Sequence, residues 1–154
     1  MVPPSIPRSA APPKPPSLGD CVCFNARSAA RAITYLYDET LAPSGLRINQ
    51  FATLAAIHQR HGGSMQTIAA DLGLDPSTMT RVLRPLVEDG LVSAEPGENR
   101  RAKQLALTDL GQEKLRSTHA LWQQAQDDLR EKLDPGVFER LVGDLAKLHE
   151  ALRP

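Results

Sequence analysis

Apolar residues recur every three or four positions along most of the chain, which is the spacing of amphipathic helices. The stretches with this spacing are 20–40, 49–61, 64–72, 75–90, 108–133 and 135–152. A different pattern occurs between residues 91 and 107, where two short stretches flank a turn that contains Pro96, Gly97 and Asn99. Short alternating stretches around such a turn predict a two-stranded hairpin. The sequence therefore predicts a mainly α fold with a small antiparallel β hairpin.

The stretch from Asp75 to Gly90 predicts a helix with an apolar side and a polar side. Asp75 can cap its first turn, Pro76 suits the first helical position and Gly90 suits the exit. The apolar side consists of Met79, Val82, Leu83, Leu86 and Val87. The other faces carry hydroxyl and guanidinium groups, which suit phosphates and base edges: Ser77, Thr78, Thr80, Arg81 and Arg84. By itself the pattern fits a DNA-recognition helix and an ordinary amphipathic helix equally well.

The preceding segment favours the DNA interpretation. Ser64 can cap a short helix over residues 64–72, and three residues beginning with Gly73 lead directly into the next helix. A short helix, a tight turn with glycine and a second helix make a helix-turn-helix. Ser64 and Gln66 lie at the start of the first of these helices, so both are candidates for contacts to DNA phosphates.

The following hairpin adds basic residues beside the predicted recognition helix. Arg100 and Arg101 lie near its tip, and Lys103 begins its return strand. A narrow minor groove attracts guanidinium groups through its negative potential. We therefore predict that the hairpin is a wing, and that residues 46–108 form a winged helix-turn-helix.

The helices at the two ends of the chain carry more apolar surface than such a unit of about 70 residues can cover. The last helix has a continuous apolar stripe of Phe138, Leu141, Val142, Leu145, Leu148 and Leu152. We expect residues 20–41 and 109–152 to form the dimerisation region of a homodimer. A two-fold dimer also suits a two-fold DNA site.

Composition restricts where the protein works and what it contacts. The chain has 154 residues, with 18 basic and 18 acidic side chains, so any DNA affinity depends on how charges are placed and not on the net charge. Residues 1–18 are rich in proline and predict a flexible arm, with one domain over 19–154. The start of the sequence has no apolar run after a basic cluster, as a signal peptide would, and no stretch of about 18 apolar residues could span a membrane. We therefore expect a cytoplasmic protein.

The order of these elements resembles the MarR family of bacterial transcriptional regulators, over roughly residues 20–152. The most specific segments are 41–57, 75–92 and 98–111. The resemblance implies a homodimeric regulator, acting as a repressor, that binds a palindromic operator in double-stranded DNA and releases it when a small molecule or an oxidant is sensed. It implies no enzyme activity and no cofactor.

Three positions depart from the family pattern. Asn99 replaces an Asp that pairs with the wing arginines. Pro85 lies inside the recognition helix, where it removes a backbone donor at a typical cost of about 3 kcal/mol. Arg47 replaces a helix-capping Thr, which leaves Asn49 as the better cap for the second helix.

The start of the first helix resembles, in part, the organic-hydroperoxide sensors of this family. Cys23 and Phe24 match their reactive Cys and the Phe that follows it, Tyr37 falls at the spacing of one tyrosine, and Arg27 occupies the place of the other. A thiol near a helix N-terminus with Arg27 one turn further on has its thiolate stabilised. Cys21 is the second candidate thiol.

The alternative effector is a small aromatic ligand, commonly a phenol or aromatic carboxylate in this family. Candidate contacts for it are Arg27, Arg31, Tyr35, Tyr37, His58 and Trp122.

Two other classes of protein stay open. One is a winged-helix interaction module that does not bind DNA, which the neutral charge favours. The other is a small thiol-redox protein that uses Cys21 and Cys23, although no CxxC pair is present. A metal site is not expected, because the His and Cys residues are scattered.

Overall fold

Each segment of the sequence with helical periodicity forms a helix, within a few residues of the predicted bounds. The computed structural model describes residues 17–96 and 103–152. In these residues the helices are α1 (Val22–Leu41), α2 (Ile48–Gln59), α3 (Met65–Asp71), α4 (Pro76–Glu88), α5 (Asp109–Glu131) and α6 (Val137–Ala151), and the strands are β1 (Gly63–Ser64), β2 (Val92–Pro96) and β3 (Lys103–Leu107). The mainly α class with a small antiparallel sheet is confirmed. The described residues fall into two compact units that divide between Ala32 and Ile33.

The first unit holds a short 3-10 helix, Leu18–Asp20, and the beginning of α1. Asn25 joins the two, because its side-chain amide donates to the Gly19 carbonyl (2.7 Å) and to the Cys21 carbonyl (3.1 Å). Every side chain from 17 to 32 is exposed.

The core of the second unit lies among α2, α3, α4 and the sheet. Its fully buried members include Leu54, Ile68, Met79, Leu86 and Leu105, one or more from each of these elements. Burying a side chain of this size contributes about 1.5–3 kcal/mol. A smaller cluster joins the second half of α1 to α2 and α5 through Tyr37, Leu41, Phe51 and Ala125.

In the part of the chain that the structure describes, the sheet has three strands and not the predicted two, with β3 in the centre. Strand β3 pairs with β2 over five positions, from Val92 opposite Leu107 to Pro96 opposite Lys103. It also pairs with β1, where Gly63 lies opposite Leu105. The hairpin prediction missed β1 because two residues are too few to show alternation. Arg100 and Arg101, predicted near the tip of the hairpin, lie outside the described residues.

The beginning of α2 also differs from the prediction. The cap is provided by Asp38 of α1 and not by Asn49, because Asp38 Oδ1 accepts a hydrogen bond from the Ile48 backbone N–H at 2.7 Å. Arg47 occupies the N-cap position, and its own N–H donates to Gln50 Oε1 at 2.9 Å. A carboxylate from a different helix therefore accepts from a backbone N–H group in the first turn of α2, which has no partner within the helix.

Helix α5 begins against the sheet, whereas α6 has no buried residue. Thr108 caps α5 by accepting from the Gly111 N–H at 3.0 Å, and it donates to the Gly90 carbonyl at 2.7 Å. The predicted apolar stripe of α6 is largely exposed, with Leu145 at 52%. None of the helices in residues 17–96 and 103–152 is long and apolar enough to cross a membrane.

Candidate nucleic-acid interface

The predicted helix-turn-helix is formed by α3, a tight turn and α4. Ser64 caps α3, because its Oγ accepts from the Thr67 N–H at 3.1 Å. Gly73 in the turn has a φ of 62°, a left-handed conformation that glycine adopts without strain. The Leu74 N–H then donates to the Ala69 carbonyl at 2.9 Å, which closes the end of α3. These local bonds fix the angle at which α4 leaves the turn.

Asp75 caps α4 with both carboxylate oxygens. Its Oδ1 accepts from the backbone N–H groups of Ser77 (2.9 Å) and Thr78 (3.0 Å). The Ser77 hydroxyl also donates to Oδ1 at 2.5 Å, and the Thr78 hydroxyl donates to Oδ2 at 2.6 Å. These hydrogen bonds from Ser77 and Thr78 hold the pKa of Asp75 well below its ordinary value. The carboxylate therefore stays ionised at the positive end of the helix.

The hydroxyl groups of α4 consequently have a restricted role. Thr80 Oγ1 donates to the Pro76 carbonyl at 2.8 Å, so all three hydroxyl protons are directed to protein acceptors. Each oxygen keeps a lone pair as an acceptor. In this arrangement Ser77, Thr78 and Thr80 each present an acceptor lone pair to solvent and no free hydroxyl proton.

The two arginines of α4 differ in how free they are. Arg84 Nε is 2.8 Å from Glu88 Oε1, and this hydrogen bond raises the pKa of Arg84 above its ordinary value. Arg81 is exposed and has no ion pair within the described residues. Pro85 does not end the helix, which continues to Glu88. Arg81 is thus the guanidinium of α4 with all its donors available.

The other predicted DNA contacts are distributed around this helix. Gln66 is exposed on α3, whereas Ser64 is half-buried and its hydroxyl is shared with Thr67 Oγ1 at 2.7 Å. Lys103 is exposed at the start of β3.

The predicted sensing residues belong to both compact units. Cys21, Cys23, Arg27 and Arg31 are exposed in the first unit, and both thiols are free. Tyr37 belongs to the second unit, where it is buried and its hydroxyl donates to Gln126 Oε1 at 2.6 Å. Burial raises the pKa of Tyr37.

Sequence reasoning missed most of a groove of about 430 Å³ between α2 and α5. Its walls include Trp122, which stacks on Phe51 with ring centroids 6.1 Å apart and lies 5.4 Å from the His119 ring. His58 and Arg116 add polar groups to the lining. The sequence had proposed His58 and Trp122 but not Phe51, His119 or Arg116. The spacing of His119 and Trp122, three apart on one helix, is the signal that was available.

In residues 17–96 and 103–152, no group of three or more His, Cys, Asp or Glu side chains could hold a metal ion.

Comparison with known proteins identifies what the fold is similar to. The MarR family model matches residues 46–103. The Mycobacterium tuberculosis transcriptional regulator MosR, solved in complex with DNA, is 36% identical with a TM-score of 0.76, over 86% of this chain and 96% of that one. A mutant of Escherichia coli MarR, complexed with operator DNA, is 25% identical with a TM-score of 0.72, over 85% of this chain and 92% of that one.

A curated relative is similar over a shorter range. The HTH-type transcriptional regulator TtmR of Methylorubrum extorquens is 33% identical over 98 residues, which is 63% of this chain. The match spans half of the length of TtmR.

Proposed function

Because the chain belongs to the MarR family of DNA-binding transcriptional regulators, we propose that it represses transcription by binding a palindromic operator as a homodimer. The observation that supports this most directly is α4: a helix capped by Asp75, with Arg81 unpaired on its exposed side. Such a guanidinium can donate two hydrogen bonds to guanine O6 and N7 in the major groove. As a regulator of transcription the protein would work in the cytoplasm, where bacterial DNA is.

The exposed stripe of α6 supports the homodimer. Leu141, Val142, Leu145, Leu148 and Leu152 are 40–74% exposed and recur at helical spacing. A contiguous apolar patch on a helix is typical of an association surface. A second copy of α6 would cover it, and the two recognition helices would then be related by the two-fold axis that a palindrome requires.

The groove between α2 and α5 supports a small aromatic effector. Phe51 and Trp122 supply aromatic walls, and His58, Arg116 and His119 supply polar groups for a carboxylate or phenol. Helix α5 follows β3 with only Thr108 between them, and the part of α5 from Gln112 to Trp122 lines the groove. A ligand that separates α5 from α2 would therefore change how the sheet and α4 are presented to DNA.

A second candidate signal is oxidation, because Cys21 and Cys23 are free and exposed. Exposed thiols near the start of a helix are accessible to peroxides. Under this hypothesis peroxide releases DNA from the wild type but not from Cys23→Ser. Equal sensitivity of the two proteins would remove Cys23 from the sensor, and the effector would then be a ligand of the groove.

The experiment that tests DNA binding begins by selecting bound fragments from the source genome. Affinity for a selected operator and for a duplex of random sequence is then measured for the wild type, Arg81→Ala and Arg84→Ala. We expect Arg81→Ala to lose about tenfold or more of its preference for the operator. Arg84→Ala should lose less, because Glu88 already engages Arg84.

The opposite results separate the alternatives. A wild type that binds no duplex even at low salt would support an interaction module that does not bind DNA. An Arg81→Ala, Arg84→Ala double variant with full preference for the operator would exclude α4 as the specificity element. The first result would mean that the proposed function is wrong for this chain, and the second that an element other than α4 distinguishes the operator.

A further inference from the structure

A second groove, of about 400 Å³, runs between the start of α2 and the middle of α4. Arg47 and Arg81 both line it, together with Thr78 and Pro85. Asp38 is the one carboxylate among its described lining residues. The recognition helix therefore shares a concave surface with an arginine from the start of another helix.

Arg47 is held by its surroundings but is not buried by them. Its Nη1 is 3.1 Å from Asp38 Oδ2, while the other oxygen of Asp38 accepts from the Ile48 N–H. The side chain of Asp38 is only 18% exposed, whereas that of Arg47 is 78% exposed. The carboxylate thus lies beneath the guanidinium, and the remaining donors of Arg47 point to solvent.

The charges around the groove favour an anion. Arg47 and Arg81 contribute two positive charges, and Asp38 contributes one negative charge. The N-terminus of α2 adds a partial positive charge of about half an elementary charge. The charges of the side chains that line the groove are therefore positive in sum, although the whole chain has no net charge. This is a local separation of charge on the side of the molecule that carries the exposed residues of α4.

We propose that Arg47 is a DNA-backbone contact, which holds a phosphate beside the recognition helix while Arg81 on that helix contacts the bases. This inference rests on the proposed DNA binding and adds a residue to it. Asp38 is a positioning residue, because it fixes both the start of α2 and the orientation of Arg47. A planar guanidinium held in this way can donate two parallel hydrogen bonds to a phosphate.

A phosphate contact differs from a base contact in its dependence on salt and on sequence. Each phosphate neutralised contributes about −0.9 to the slope of log K against log salt concentration for B-DNA. Loss of Arg47 should therefore weaken binding to every duplex alike and reduce the slope by about one. Loss of a base contact would weaken binding to the operator more than binding to other sequences.

The test uses a fluorescently labelled duplex of random sequence, so it needs no knowledge of the operator. Affinity is measured by anisotropy over a range of salt concentrations for the full chain and for Arg47→Gln, Arg47→Lys and Lys147→Ala. The control Lys147→Ala removes one positive charge from an exposed ion pair with Asp144 on α6, so the change in net charge is the same. Thermal melting of each protein shows whether α2 is intact.

We expect Arg47→Gln to bind about tenfold more weakly at low salt, with a slope smaller by about one. Arg47→Lys should recover most of the slope, because it keeps the charge, and Lys147→Ala should match the wild type. An Arg47→Gln protein that is folded and keeps the wild-type slope would overturn the inference while leaving the proposed function intact. Absence of binding by the wild type would overturn the proposed function itself.

Discussion

Helices α4 and α6 are of similar length, and each has an apolar side, but they use it differently. In α4 the side chains of Met79, Leu83 and Leu86 are buried within its own chain. In α6 the corresponding leucines are exposed, and no residue of the helix is buried. Covering the exposed half of one leucine contributes about 1 kcal/mol. Covering the stripe of α6 would therefore contribute several kcal/mol of stabilisation.

This difference separates two tasks. The winged unit completes its core without a partner, so α4 is rigidly presented to DNA. Helix α6 leaves most of its apolar side exposed. In the proposed homodimer it would join two winged units and set the spacing of their recognition helices. The following variants test whether the two regions are as different as their exposure indicates.

The largest effect is expected from adding one methyl group at a glycine where α5 packs on the sheet of the winged unit, compared with a glycine of α6. A Cβ on Gly111, at the start of α5, would lie 2.0 Å from the carbonyl oxygen of Leu91. Because that atom belongs to the backbone, α5 would have to move away from the sheet. We expect Gly111→Ala to lower the free energy of unfolding by more than about 4 kcal/mol in chemical denaturation.

The matched control is Gly143→Ala in α6, where an added Cβ meets nothing within 4 Å. Alanine in a helix is more stable than glycine by about 0.5–1 kcal/mol, so this variant should be slightly more stable. If Gly143→Ala instead weakens association of the two copies, a partner helix packs directly against Gly143. If Gly111→Ala is as stable as the wild type, the packing of α5 on the sheet described above is wrong.

A second pair compares two leucines under the same truncation. Leu86 is completely buried, and Leu145 is 52% exposed. We expect Leu86→Ala to lose about 3 kcal/mol of unfolding free energy at every protein concentration. Leu145→Ala should lose stability only where the wild type is dimeric, because stability from association depends on concentration. Sedimentation measures the dimer, and denaturation at two concentrations measures the stability.

Two outcomes would contradict this comparison. If Leu145→Ala is as destabilising as Leu86→Ala at all concentrations, α6 belongs to the core of its own chain. If Leu145→Ala leaves both stability and association unchanged, the apolar stripe of α6 is not the interface of a homodimer.

The sequence predicted α4 well because all its signals are local. Asp75 as cap, Pro76 at the first position and the spacing of Met79, Leu83 and Leu86 are found in one short segment, and the structure confirms each. The capping of α3 by Ser64 is confirmed for the same reason.

The sequence failed where the signal lies far along the chain or is very short. The cap of α2 comes from Asp38, ten residues earlier and on another helix, so a search for a local cap chose Asn49 wrongly. Strand β1 has two residues, too few to show any period. The sequence also could not show that Arg84 is paired while Arg81 is free. The roles proposed for Arg100 and Arg101 stay predictions.

The smallest expected effect concerns the caps of the two helices. Asp75 caps α4 with a carboxylate, whereas Gly136 at the N-cap of α6 has no side chain to do so. Hydrogen bonds from Ser77 and Thr78 lower the pKa of Asp75, so the stabilisation by its charge is complete above the pKa of an unfolded Asp, about 3.9. It is lost as the pH falls through the lower pKa of Asp75 in the folded protein.

Asn is also a good N-cap but carries no charge. We therefore expect the wild type to exceed Asp75→Asn in stability at neutral pH, and the gap to narrow below about pH 4. Denaturation of both proteins across this range measures the gap. A gap that stays constant into acid would mean that hydrogen bonding alone, and not the charge of Asp75, fixes the beginning of α4.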